Sequence, residues 1–327
     1  MTELHPTLEK VLEFERQEPH VQIIEILAQA AHELSQILAT ASLTGKSGAA
    51  EGNSINSTGD TQKKLDILAN DLFLDRVSSK NLVHRFVSEE MAHPKVLTLG
   101  GESPLLLAMD PLDGSSNLDV NGTVASIFGI YRDRRDPLPT GRDLLAAGYF
   151  LFGPSTILML STGHGVNGYT LHPASGKFLL SHPAVRCPNR GSYLCANVAH
   201  FSQWPDAVQA YMDALLAQSR TELAPVSLRY SGAMATDVHR ILLEGGIYIY
   251  PPDSQHWTGK IRLLYESVPM AFLFEQSGGT SSNCMQSLLD VPVLEPHQQD
   301  HTALGSIRNV QEYVDTVLRA QRARERA

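Results

Sequence analysis

The chain has few cysteines, no excess of positive charge and no long apolar run. Three cysteines, Cys187, Cys195 and Cys284, stand in 327 residues. Their odd number and the absence of metal-ligand spacing argue against a disulfide framework or a cysteine zinc site. They are expected as reduced, buried small hydrophobes. Basic residues number 26 against 35 acidic, a net charge of −9. A general nucleic-acid binder needs a basic footprint, so that class is set aside. An anionic substrate is not excluded, because a bound metal ion inverts the local sign. The longest strongly apolar run, Leu144 to Phe152, is too short to span a bilayer, so no membrane partner is expected. Met1 to Pro6 carries neither a basic start nor an apolar segment, so no signal peptide is read and a cytoplasmic location is expected.

What is present is the composition of a globular protein, 43% hydrophobic and 19% charged, in a length that suits two domains or one two-lobed unit. Pro19 opens a helical stripe through Ile23, Leu27, Ala30 and Leu34, and Gln62 to Ser79 reads as a second helix. The Gly/Ser/Asn-rich segment Gly45 to Gly59 reads as a linker, since it lacks the glycine spacing of a phosphate loop. Strands are expected at Leu82–Val87, Leu105–Met109, Val124–Tyr131, Ala146–Phe152, Thr156–Leu160 and Gly246–Tyr250. Further helices are expected at Pro205–Leu216, Ala233–Leu243, Lys260–Gln276 and about Ile307 to Arg324. Helices and strands without strict alternation favour a layered α/β or α+β fold. The turn-rich stretch His182 to Asn189 places the expected domain boundary at 1–190 and 191–327.

The segment with the most chemistry is Asp110-Pro111-Leu112-Asp113-Gly114-Ser115-Ser116-Asn117, directly after the apolar strand. Asp110 and Asp113 at a strand end can face one cavity, where ionised carboxylates need a cation. Gly114, Ser115 and Ser116 offer consecutive N–H groups and two hydroxyls, an oxyanion cradle. Hard oxygens beside such a cradle suggest metal-assisted phosphoryl chemistry, while a surface Asx turn stays open as the plainer reading. Asp60 reads first as a helix N-cap, and Asp66 as inward-facing or on a solvated helix face. Glu89 and Glu90 end a strand, at an exposed turn or at the sheet edge beside Asp110. Glu266 lies between two apolar stripes of its helix and needs a partner: Lys260 or Arg262 as an ion pair, or a metal.

Together these segments resemble class I fructose-1,6-bisphosphatase. The resemblance is carried by Gly59 to Asp66, Val87 to Glu90, Asp110 to Asn117, Ser126 to Arg132, Arg229 to Met234, Asp237 to Arg240 and Gly259 to Glu266, in the family's order. The Asp-Pro-Leu-Asp-Gly-Ser element alone is shared with inositol monophosphatases. The resemblance implies a two-domain sugar-phosphatase fold of stacked helix and sheet layers, a homotetramer, and Mg²⁺- or Mn²⁺-dependent hydrolysis of the 1-phosphate of fructose 1,6-bisphosphate in carbohydrate metabolism. It implies two or more metal ions per subunit, held by Glu89, Asp110, Asp113, Glu266 and the Leu112 carbonyl. Asp60 would contact a further metal, and Asp66 and Glu90 would orient and deprotonate the attacking water. Asp113, Gly114, Ser115 and Ser116 would also meet substrate. Asn197, Tyr230, Tyr250 and Lys260 would grip the sugar and its 6-phosphate, with Arg229 reaching in from a neighbouring subunit.

The chain departs from the family at His200, usually tyrosine, and at Gln255, often lysine. A substrate such as sedoheptulose 1,7-bisphosphate, an inositol-type phosphatase activity on the same fold, and a catalytically silent relative remain as alternatives. AMP-inhibited relatives carry a Gly-Thr-Gly-Glu-like segment and a Lys-Tyr pair where this chain has Arg16 to His20 and Pro104-Leu105, with only Arg132 resembling the nucleotide-binding arginine. Weak or absent AMP inhibition by that route is expected. The cysteine-bearing insertion of light-regulated plastid relatives is also missing, so no thiol switch is expected.

Overall fold

The computed structural model describes residues 5–45, 48, 62–98, 104–219 and 226–325. Helices α1 (Leu8–Val11), α2 (Pro19–Thr40) and α3 (Lys64–Ser78) lead into β1 (Arg85–Ser88), β2 (Lys95–Val96), β3 (Leu105–Asp113), β4 (Val124–Arg132), β5 (Leu144–Phe152), β6 (Thr156–Ser161), β7 (Val166–His172) and β8 (Lys177–Val185). These strands form one sheet in the order β2-β1-β3-β4-β5-β6-β7-β8, antiparallel except for the parallel β1–β3 pair. Next come β9 (Tyr193–Cys195), α4 (Asp206–Ser219), β10 (Ser227–Leu228), α5 (Met234–Glu244), β11 (Gly246–Tyr250), α6 (Val268–Ser277), β12 (Thr280–Ser282), β13 (Thr302–Gly305) and α7 (Ile307–Glu325). The second sheet runs β10-β9-β11-β13-β12. Among the described residues no helix is long and apolar enough to cross a membrane.

Alternation along the strands explains the layering. In β3, Leu105, Leu107 and Met109 pack with α2 and α3, while Leu106 and Ala108 pack on the opposite face with α5 and α6. A strand buried on both faces reads as a continuous apolar run, which is how Leu105–Met109 stands in the sequence. The second sheet turns Cys195, Tyr248 and Leu304 toward α5 and α6, and Leu194, Ile247, Ile249 and Ala303 toward α4 and α7. The order is therefore helix, sheet, helix, sheet, helix. The three cysteines are free and buried.

The expected helix at Lys260–Gln276 is corrected: it begins later and in a different form. Leu263–Ser267 is a π-turn, and the α-helix starts at Val268 with Pro269 in its first turn. Proline has no N–H to donate, so it sits where an i→i−4 bond is dispensable. The wider turn leaves the Leu264 carbonyl to accept from the Tyr131 hydroxyl at 2.6 Å. Strands β7, β8, β9 and β13 escape a reading by apolar runs. In β8, polar and apolar residues follow one another as Leu179, Leu180, Ser181, His182 and Pro183, and β9 and β13 are short. Residues 49–61, including most of the Gly/Ser/Asn-rich linker, lie outside the described residues.

One buried histidine gives the fold a pH limit. His301, next to β13, shares a 2.7 Å hydrogen bond with the Tyr313 hydroxyl of α7, and burial pushes its pKa down to about 4. The neutral form is favoured in the folded state. Its contribution is therefore complete above pH 6.5 and lost as pH falls from 6.5 toward 4, roughly 3 kcal/mol in all. Urea unfolding at pH 7.5 and 5, compared between the unmodified protein and His301→Gln, should isolate this loss as the difference between the two proteins.

Candidate active site

The carboxylates converge because β3 is irregular at its end. In a regular strand, positions three apart point to opposite faces. Pairing with β4 runs Asp110↔Ile127 and then Asp113↔Ala125, so β3 carries an extra residue there. This bulge brings Asp110 and Asp113 to one cavity. Pro111 occupies the bulge without costing a ladder donor, and its carbonyl accepts from the buried Ser126 hydroxyl at 2.7 Å. The Leu112 N–H bonds Asp110 Oδ1 at 3.0 Å. The chain then turns at Gly114, with φ 77° and ψ 29°. A Cβ there would lie 2.3 Å from that of Ala233, so only glycine lets the two loops meet.

The cavity holds about 380 Å³ and receives residues from both sheets and from the helices and turns beside them. Asp66 enters from the first turn of α3, where its Oδ2 accepts the Lys63 N–H at 2.7 Å. Asp66 Oδ1 is buried with no hydrogen-bond partner among the described residues. Glu89 and Glu90 follow β1, and Gln62 Nε2 donates to Glu90 Oε2 at 2.5 Å. Glu266 is presented by the π-turn. Gly114, Ser115, Ser116, Tyr230, Tyr250 and Lys260 complete the expected set on the cavity wall. Lys63, Gly232, Met234, Tyr248 and Arg262 also line it. Their apolar or basic types carried no signal of a site except for Arg262, which had stood as an ion-pair candidate for Glu266.

Two expected residues among those described are not on this wall. Asn197 stands before the short 3₁₀ turn Val198–Gln203, and exposed Arg229 lies over the Tyr193 ring at 5.8 Å. Asp60 is outside the described residues.

Electrostatics sets the character of the cavity. Carboxylate oxygens of Glu89, Asp110 and Glu266 lie within 4.8 Å of one another, and all three residues are buried. Of the partners expected for Glu266, the ion pair with Arg262 is present, in a cluster of acids that could hold a metal ion. Arg262 donates its backbone N–H to Glu266 Oε2 at 2.6 Å and reaches Glu266 and Glu89 with its guanidinium at 3.7 and 2.7 Å. Asp113 is held at the N-terminus of α5, accepting from the N–H groups of Met234 at 3.1 Å and Ala235 at 2.8 Å. Even so, burial first and neighbouring carboxylates second keep Asp110, Asp113 and Glu266 reluctant to ionise. Asp110 is driven well above its ordinary range, Asp113 up to about 7 and Glu266 up to about 8. Burial also lifts Glu90 to about 7 and Asp66 to about 6.

Comparison with known proteins decides the family. The fructose-1-6-bisphosphatase N-terminal domain matches residues 5–183, and the C-terminal domain of the same enzyme matches residues 187–318. The chain belongs to the fructose-1,6-bisphosphatase family. A class 1 fructose-1,6-bisphosphatase of Acaryochloris marina is 41% identical over 297 residues, 88% of each chain. The cytosolic fructose-1,6-bisphosphatase of Solanum tuberosum is 40% identical over 264 residues, 79% of this chain and 77% of that one. The fold superimposes on Leishmania major fructose-1,6-bisphosphatase in holo form with a TM-score of 0.89 at 32% identity, covering 95% of this chain and 98% of that one. Fructose-1,6-bisphosphatases are metal-dependent, and the donor set here fits a divalent ion: hard oxygens, buried, mutually repelling and only partly neutralised by Arg262.

Gathering these buried acids carries an electrostatic cost when no divalent cation is bound. Asp110→Asn removes a carboxyl whose ionisation is opposed by burial and by its neighbours, and keeps the shape. It should raise the melting temperature in chelator by a few degrees, roughly 1 kcal/mol, and abolish the further rise that a divalent cation gives the unmodified protein. Calorimetry with and without chelator measures both.

Proposed function

We propose that the protein hydrolyses the 1-phosphate of fructose 1,6-bisphosphate, giving fructose 6-phosphate and phosphate. The observation that carries this reading is the buried carboxylate group set against the Gly114–Ser116 cradle in one cavity. Glu89, Asp110, Asp113, Glu266 and the Leu112 carbonyl would hold Mg²⁺ or Mn²⁺, two or more per subunit, with Asp60 serving a further one. Bound there, such ions neutralise the transferring phosphoryl group and acidify water.

The protein groups supply the rest. The N–H groups and hydroxyls of Ser115 and Ser116 receive the phosphate oxygens, and Gly114 lets the backbone come close enough to do so. Glu90 and Asp66 take the proton of the attacking water. Both stand on the wall of the cavity that would hold the water. Tyr230, Tyr250 and Lys260 grip the distal 6-phosphate, so that its binding energy positions the reacting end. Arg229 does not line its own cavity and would serve a neighbouring subunit of a homotetramer, and Asn197 would join the grip on the sugar once substrate is present. The metal and 1-phosphate groups would belong to residues 1–190 and the sugar-binding groups to 191–327, with Glu266 crossing between them. The cytoplasm is the proposed compartment, in gluconeogenic carbohydrate metabolism.

Phosphate release from fructose 1,6-bisphosphate with Mg²⁺ tests the reading. Glu266→Gln should lower kcat by about 10³-fold, roughly 4 kcal/mol in the barrier, whereas turnover near that of the unmodified protein would contradict the assignment. The same assay on sedoheptulose 1,7-bisphosphate reads out what His200 does to distal-phosphate preference. His200 Nδ1 lies 3.6 Å from the buried Asp253 carboxylate. Adding AMP should inhibit weakly or not at all, because Arg16 to His20 and Pro104-Leu105 replace the nucleotide-binding segments of inhibited relatives.

A further inference from the structure

The segment that carries Tyr230 into the cavity is held by two side chains that do not themselves line it. Asp237, in the first turn of α5 and only 4% exposed, accepts the Ser231 N–H with both carboxylate oxygens, at 3.0 and 3.1 Å. The Gly232 amide adds to the same acceptor. From the other side, Asn117 Nδ2 donates to the Ser231 carbonyl and to the Thr123 carbonyl, both at 3.2 Å. The two peptide groups flanking Ser231 are thus fixed in opposite directions, one by an acceptor and one by a donor. Tyr230 precedes this clamp and Gly232 follows it, and both reach the cavity wall.

We propose that Asp237 and Asn117 are positioning residues that clamp the Ser231 peptide and thereby set Tyr230 for the distal phosphate. The chemistry of each fits the task. A carboxylate in the first turn of a helix is stabilised by the N-terminal dipole, so Asp237 can be buried as an acceptor. It takes an N–H that would otherwise have no partner in the loop. Asn117 has the two donors needed to bridge separate carbonyls, which neither serine nor aspartate provides. It also ends the Asp110–Asn117 segment, so the loop that cradles one phosphate is tied directly to the loop offered to the other. A shift of about 1 Å in Tyr230 is enough to lose a hydrogen bond to a bound phosphate oxygen.

The inference rests on the proposed distal-phosphate role of Tyr230, and the experiment separates the two. Steady-state kinetics with Mg²⁺ would compare Asp237→Asn, Asn117→Ala, Tyr230→Phe and the Asp237→Asn/Tyr230→Phe double variant. Fructose 1,6-bisphosphate and fructose 1-phosphate, which lacks the distal group, are the substrates. Asp237→Asn and Asn117→Ala should each raise KM for the bisphosphate about tenfold, with kcat within about threefold. Both should leave fructose 1-phosphate kinetics unchanged, and Tyr230→Phe should add little once Asp237 is altered. Amide exchange at Ser231 should quicken in Asp237→Asn, a readout independent of turnover. If Tyr230→Phe raises KM and the two clamp variants do not, the positioning role is overturned and the Tyr230 reading stands. Equal losses on both substrates would show damage to the fold and likewise overturn it. A silent Tyr230→Phe overturns the distal-phosphate reading and the inference with it. Asn117 is only partly buried, so Asn117→Ala carries the test if Asp237→Asn fails to fold.

Discussion

The structure is organised around the cost of gathering carboxylates where water cannot screen them. Asp110, Asp113, Glu89 and Glu266 are all buried, and each lies close enough to others to oppose their ionisation. Charge this concentrated is tolerated only because opposing groups are built in around it. Arg262 spans Glu89 and Glu266, the N-terminus of α5 donates to Asp113, and the Leu112 N–H meets Asp110. These compensations are incomplete, and the remaining deficit is the attraction a divalent cation would answer.

Much of the fold serves to keep that arrangement rigid. The bulge in β3 brings Asp110 and Asp113 together, the π-turn presents Glu266, and the Tyr131 hydroxyl on the Leu264 carbonyl ties the π-turn to β4. Apolar packing on both faces of β3 and on α6 leaves these elements little freedom to relax away from one another. The same packing raises the carboxyl pKa values, so stability and reactivity draw on one feature. The groups proposed to meet the sugar lie on more open ground: Tyr230 is 39% exposed and Lys260 partly so, which would suit admitting and releasing a ligand.

Legibility varied by element for identifiable reasons. Helices with one clear stripe, such as α2, and strands with unbroken apolar runs, such as β3 and β5, were readable because burial imposes those patterns. Strands β7 and β8 were not, since their residues mix polar and apolar types around register shifts. The start of α6 was misjudged because a π-turn keeps the side-chain character of a helix while changing its hydrogen bonding. Among site residues, acids in unexpected company stood out. Tyr248, Met234 and Lys63 did not, because an aromatic, an apolar or a basic side chain is as common in a core or on a surface as in a cavity.

The linear chain by itself determined the chemical inventory: hard oxygen donors, a glycine turn followed by hydroxyls, two apolar faces on the central strand, and the family these imply. It determined these because residue type and short-range spacing are properties of the chain alone. Only the tertiary structure decided that Asp110 and Asp113 reach one cavity and that Arg262 pairs with two acids at once. It also decided that Asp237 and Asn117 grip the same residue from opposite directions. Those outcomes depend on an extra residue in one strand and on contacts between segments more than a hundred positions apart, which no local pattern encodes.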